Sequence, residues 1–156
     1  MAAGCAGAGQ GTTCPHIAKI SAIRSRTASK AVSEDAPYVF SVANGNAITI
    51  TDPLPPLPLP YTVTLTSPGK LTLAQTSGLT FGAGDGTDDA SMTFTGGVAS
   101  LNAALDGLTF LAADNALPVG ILTVTATDGL LSSVAAVTLV VTPVNDGPVN
   151  TVPAGA

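Results

Sequence analysis

The chain has no tryptophan, two tyrosines and four phenylalanines, so aromatic residues make up only 4% of its 156 positions. Its interior must therefore be built from valine, leucine and isoleucine with a few phenylalanines. A lectin-like site, which stacks exposed aromatic rings on sugars, is poorly supplied. Charge is scarce too, at 10% against the roughly 25% of an average soluble protein. There is one histidine, His16. Nucleophilic catalysis needs a base held by a third group in a rigid frame, and Cys14-Pro15-His16 offers proximity without a frame. The sequence therefore points away from an enzyme. The two cysteines, Cys5 and Cys14, cannot make a zinc site. They lie outside the region patterned as core, so no disulfide framework staples it. Pairing with each other, pairing with another chain and remaining free thiols all stay open. No apolar run approaches the roughly 20 residues of a membrane span. The N-terminus also lacks the basic start and apolar stretch of an ordinary secretory signal, so work outside the cell would take another export route or a longer precursor.

Positive charge is missing from most of the chain. Residues 31–156 carry ten acids against Lys70 alone, a net of −9, whereas residues 1–30 carry Lys19, Arg24, Arg26 and Lys30 and no acid. Such a body repels phosphates, which excludes nucleic acid as a partner. Surplus carboxylates invite a hard cation such as Ca²⁺, which takes oxygen ligands. They also serve simply to keep an apolar body soluble.

What the chain has in abundance is threonine between apolar residues. The pattern occurs eight times, at Ile48-Thr49-Ile50, Val63-Thr64-Leu65, Leu71-Thr72-Leu73, Leu79-Thr80-Phe81, Met92-Thr93-Phe94, Leu108-Thr109-Phe110, Val124-Thr125-Ala126 and Val137-Thr138-Leu139. In an extended chain successive side chains point to opposite faces, so each triplet buries two residues and turns a threonine to water. Threonine suits that outer face because its branched Cβ fits a pleated surface. The expected fold class is all-β: a Greek-key β-sandwich with one short helix. Its core should hold Val63, Leu65, Leu73, Phe81, Phe94, Leu101, Phe110, Val124, Leu139 and Val141.

At this length one domain is expected. Residues 1–30 read as a separate head, in which Ile17, Ile20 and Ile23 suit one face of a short helix and a floppy arm fits equally well. The sandwich is expected over 31–146. Strands are predicted at Pro37–Ala43 and Ala47–Thr51 around an Asn44-Gly45 turn, then at Tyr61–Thr66 and Lys70–Ala74 around Pro68-Gly69. Further strands are predicted at Leu79–Phe81, Ser91–Thr95, Leu108–Leu111, Val119–Thr127 and Val134–Thr142, the last being central. Val98 to Leu105 is the helix, with Gly107 ending it in a left-handed turn. Pro53 to Pro60 holds five prolines and forms a stiff bridge. Gly84-Asp85-Gly86-Thr87-Asp88-Asp89 resembles one Gly-rich calcium nonapeptide of β-roll proteins, but a single copy fits a tight hairpin loop better.

The remaining acids gather at predicted strand ends: Glu34-Asp35 before the first strand, Asp52, Asp128, and Asn145-Asp146 after the last. Strand ends of a sandwich collect at two poles, so acids distant in sequence can converge on a calcium ion of six to eight oxygens. Turns also favour Asp and Asn for local backbone bonding.

Several phrases together are specific. Glu34-Asp35-Ala36-Pro37, Gly78-Leu79-Thr80-Phe81, Met92-Thr93-Phe94-Thr95-Gly96, Leu101-Asn102-Ala103-Ala104-Leu105-Asp106-Gly107-Leu108-Thr109-Phe110, Thr127-Asp128-Gly129 and the closing Val144-Asn145-Asp146-Gly147-Pro148-Val149 resemble one cadherin-like (immunoglobulin-like) repeat of bacterial giant surface proteins and adhesins. The likeness runs from Ala31 to Val149. It implies an extracellular tandem sandwich with calcium at the junction between repeats and a role in adhesion or matrix architecture. The junction ligands it implies are Glu34, Asp35, Asp52, Asp128, Asn145 and Asp146. In one respect the chain departs: members of the family follow the second strand with further acids, where this chain has its Pro/Leu bridge, which leaves Asp52 without its usual company. Residues 147–156 resemble the opening of a next repeat. The leading expectation is an extracellular structural or adhesive repeat that meets other copies or neighbouring repeats head to tail. The alternative is a terminal module recognising a surface glycan or protein through its loops.

Overall fold

The alternating pattern folds as strands throughout, in a computed structural model that describes residues 19–22, 29–52, 60–113, 118–129, 131–145 and 147. The order is β1 (Lys19–Ala22), β2 (Ser29–Ser33), β3 (Tyr38–Phe40), β4 (Ile48–Thr51), β5 (Tyr61–Thr72), β6 (Leu79–Ala83), β7 (Asp89–Gly96), α1 (Val98–Leu105), β8 (Leu108–Leu111), β9 (Val119–Thr127) and β10 (Ser132–Thr142). The large sheet runs β2-β10-β9-β5-β7-β6; β8 pairs with both β5 and β3, and β1 pairs with β4. All these pairs are antiparallel except β2 with β10, which run parallel from Ser29 beside Thr138 to Ser33 beside Thr142. The result is an all-β, immunoglobulin-like sandwich with one short helix.

Strand β5 joins the layers. Where a turn is expected at Pro68-Gly69, the chain continues as one strand. Residues Thr62 to Thr66 lie between β9 and β7, and Lys70 to Thr72 pair with β8. The register slips between Thr66 and Leu71, a bulge of the kind that lets a strand change sheets. Glycine is required there. A Cβ on Gly69 would stand 2.3 Å from the Leu111 carbonyl oxygen and 2.8 Å from the Phe110 ring.

Two other segments differ from their sequence patterns. Lys19–Ala22 form a strand, not a helical turn, and pair with β4 from Lys19 beside Thr51 to Ala22 beside Ile48. A helix this short is unstable by itself, whereas pairing satisfies the backbone of β4. With β2 also starting at Ser29, the boundary expected at residue 31 falls inside the folded body. Strands β3 and β4 flank the Asn44-Gly45 turn, with Gly45 at φ +68°, but pair with β8 and β1 instead of each other. The turn thus carries the chain between layers. Buried Asn46 fixes it by donating to Tyr38 Oη and the Val39 carbonyl, both at 3.0 Å, and accepting from the Ser41 amide at 2.8 Å.

The helix forms where expected, and each polar residue of its phrase has a backbone partner. The Asn102 side chain accepts from the Ile50 amide at 2.8 Å and donates to the Ile50 carbonyl at 2.9 Å. It thereby binds β4 as a neighbouring strand would. Asp106 accepts from the Val42 amide at 2.8 Å. Gly107, at φ +109°, reverses the chain and donates to the Phe40 carbonyl at 2.8 Å.

The core contains nine of the ten expected residues, together with Phe40, Ile48, Ile50, Tyr61, Leu71, Met92, Leu105, Leu108 and others. The tenth, Phe81, is half-buried because β6 is an edge strand; its ring rests on Phe94 with centroids 5.6 Å apart. On the opposite face of the large sheet the threonines stand in rows. Ser132, Thr127, Thr62, Thr95 and Thr80 are neighbours on five successive strands, as are Val134, Thr125, Thr64 and Thr93 on four. Most of these threonines are half-buried instead of fully turned to water, because each is flanked by others.

Candidate functional site

The register separates the expected cation ligands into two groups. Strand β9 begins at Val119 beside Val140 and ends at Thr127 beside Ser132. At its far end Asp128 follows Thr127, and Tyr61 opens β5 beside this end, since Thr62 pairs with Thr127. Asp52, just after β4, accepts a short hydrogen bond from the Tyr61 hydroxyl. Tyr61 is buried, at 1% exposure. Burial, then the Asp52 hydrogen bond, then the charges of Asp52 and Asp128 push its pKa from 10.0 up to about 12. Asp52 and Asp128 therefore belong to one end, both near the Tyr61 phenol.

Glu34, Asp35 and Asn145 belong to the other end. Glu34 follows the last residue of β2, which lies beside Thr142. Its amide donates to the Thr142 carbonyl at 3.1 Å, and its carboxylate accepts from the Val144 amide at 3.2 Å. Glu34 is buried at 5% exposure, while Asp35 and Asn145 are exposed. Asp146 lies outside the described residues, as do Cys5, Cys14, His16 and the Pro/Leu bridge from Pro53 to Leu59.

The eight steps of β9 span about 26 Å at the usual rise of a strand. Calcium oxygens lie about 2.3–2.6 Å from the ion, so the two groups cannot share one. Among the described residues no three of His, Cys, Asp and Glu gather closely enough to hold a metal. None of Glu34, Asp35, Asp52 and Asp128 is without a partner already. Among the described residues, a single copy thus presents two separate groups of oxygen donors and no complete site.

The acidic glycine loop between β6 and β7 uses its carboxylates on itself, as a hairpin loop does. Asp89 accepts from the amides of Asp85 and Gly86, both at 2.9 Å, and Asp85 accepts from Thr87 at 2.9 Å. Asp88 bonds Thr72 and lies 3.8 Å from Lys70, an exposed pair of little energetic weight.

Sequence reasoning places the acids at strand ends and misses Tyr61, which is patterned as an ordinary inward residue. Its alternation with Val63 and Leu65 signals burial; nothing local signals that Asp52 meets its hydroxyl. Among the described residues, no helix is long and apolar enough to cross a membrane. No family model matches the chain, and no curated protein matches it. A solved chimeric titin Z1Z2, functionalized with a KLER exogenous peptide from decorin, is similar at 12% identity and a TM-score of 0.33, covering 83% of this chain and 99% of that one. At that score the architecture rests on the strand order and register described above.

Proposed function

We propose that the chain is a structural repeat of an extracellular assembly: a cadherin-like unit of a fibre or tandem adhesin stalk at a bacterial surface, stiffened by calcium where consecutive copies meet. The observation that carries this reading is the division of the expected ligands between opposite ends, Asp52 and Asp128 at one and Glu34, Asp35 and Asn145 at the other. Donors divided in this way make a full coordination sphere when the end of one copy faces the opposite end of the next. Such a head-to-tail contact does not close on itself and propagates as a filament.

The role is mechanical and not catalytic. The alternative, a module that reads a glycan or protein, is less well supported because the aromatic residues are engaged inside. Phe40, Tyr61, Phe94 and Phe110 are buried, and Tyr38 and Phe81 are half-buried. Tyr38 packs edge-on against Phe40 with centroids 5.1 Å apart. A sugar therefore finds little to stack on among the described residues.

Melting and sedimentation in chelator and in millimolar calcium test the reading. Calcium that binds only the assembled ends raises the melting temperature and the sedimentation coefficient together. Identical melting and sedimentation in the two buffers overturn it.

A further inference from the structure

Five rows of paired residues cross the outer face of the large sheet, and none holds a charged residue. Asp89, which opens β7 on the same alternation as Ser91 and Thr93, has its carboxylate engaged by the amides of Asp85 and Gly86. Besides the two rows already described, Ala136, Thr123, Thr66 and Ser91 form a third, and Ser29, Thr138 and Ile121 a fourth. Ala31, Val140 and Val119 form a fifth. The face is also where apolar surface is exposed. Of six large apolar side chains exposed among the described residues, Val119, Ile121, Val134 and Val140 lie here.

We propose that this face docks the same face of a second copy, sheet against sheet, so that the chain pairs laterally as well as end to end. Three features of the molecule identify the occupant. The first is charge. The chain carries a net −5, and two copies repel wherever their carboxylates face each other. The acids among the described residues lie at element ends and in loops, so this face is where two copies approach without opposing those charges.

The second is area. The five rows hold 19 positions, each covering about 4.8 by 6.7 Å of sheet, or about 600 Å² together. Two such faces together bury about 1,200 Å², at the lower edge of specific protein interfaces. Twisted sheets meet face to face at about −30°, and two identical faces meet about a two-fold axis.

The third is that much of the face loses water cheaply. Threonine rotamers are already restricted by the branched Cβ. Several hydroxyls also have partners inside the chain: Thr64 with Thr93 at 3.1 Å, Thr127 with the Leu131 carbonyl at 2.8 Å, and Thr95 with the Thr80 carbonyl at 3.4 Å. A hydroxyl that is bonded at home is not left unsatisfied when a second sheet covers it.

Sedimentation equilibrium of the full chain in chelator, where calcium-mediated end contacts are absent, tests the proposal. The unmodified chain forms dimers that tighten as salt is added, because salt screens the repulsion between the two acidic bodies. Thr64→Lys, at the centre of the face, weakens dimerisation at least tenfold. Val134→Lys does the same at a position already 62% exposed, where the fold is unaffected. Val42→Lys, on the turn away from the face and 65% exposed, leaves dimerisation unchanged. A chain that stays monomeric up to about millimolar concentration overturns the proposal. So does a Val134→Lys chain that dimerises as before, which would place the interface elsewhere. Binding of the monomer to an insoluble polysaccharide through the same residues would assign the face to a different occupant and overturn it as well.

Discussion

Tyr61 couples burial, hydrogen bonding and charge in one side chain. Its hydroxyl donates to Asp52 from inside the sandwich, with Asp128 close by, and its pKa stands at about 12. A tyrosine whose pKa is raised on folding holds its proton in the folded chain after the unfolded chain has lost it. The stability this contributes is complete below about pH 10 and is lost as the pH rises through about 12. Melting temperature measured between pH 9 and pH 12 should fall in that window, and Tyr61→Phe should flatten the fall. The same variant should lose about 1–2 kcal/mol at neutral pH, where the hydrogen bond is intact in the parent. Phe110 tests packing alone. Buried at 1% exposure, it should cost about 3–5 kcal/mol when truncated to Ala, read from chemical denaturation. Burial of Phe110, Val63 or Leu139 was legible from alternation, because period two assigns a face without further information. The half-burial of Thr64 and Thr125 was not. Alternation says which face a residue takes, and only register says which residues stand beside it there.

Among the elements, α1 holds β4 through one side chain. Asn102 supplies both a donor and an acceptor to Ile50, so Asn102→Ala leaves two backbone groups without partners. It should cost about 1–3 kcal/mol, and exchange of the Ile50 amide should accelerate more than that of Val63 in the large sheet. The helix was legible from Val98, Leu101 and Leu105, and its end from Gly107. The partnership of Asn102 with β4 was not, since the residues are far apart in sequence. Strand β5 shows the complementary failure. A Pro-Gly pair usually marks a turn, and here tertiary packing overrides that preference. The close approach of Gly69 to Leu111 explains why the glycine is there, and a Cβ at that position meets backbone that cannot rotate away. Gly69→Ala should therefore destabilise the chain by roughly 1–3 kcal/mol, with the loss visible as broadened resonances for β8 as well as β5.

Across the whole molecule, the two partial donor sets make a prediction about mixtures. If each contact takes one end from each copy, Asp128→Ala disables one end and Asp35→Ala the other. Either variant alone should remain short in calcium. With Val134→Lys added to both chains to keep their sheet faces apart, an equimolar mixture should form pairs through the ends still intact and stop there, with sedimentation velocity showing dimers and no longer species. The grouping of the acids at strand ends could be read from the sequence, but their allocation to particular ends could not. That depends on strand direction, and the parallel run of β2 beside β10, which puts Glu34 against Val144, has no local signal.

That parallel pair also decides how the molecule bears load. Two strands running the same way side by side receive chain at opposite ends, so tension entering at Ser29 and leaving at Thr142 pulls β2 and β10 past each other. The bonds between Ser29–Ser33 and Thr138–Thr142 then resist together in shear, whereas an antiparallel pair loaded at neighbouring ends would open one bond at a time. A unit tied in this way breaks at a high force and after little extension. For load applied between Ser29 and Thr142, the first point of failure is the short β2 seam, with the threonine-faced sheet behind it still whole.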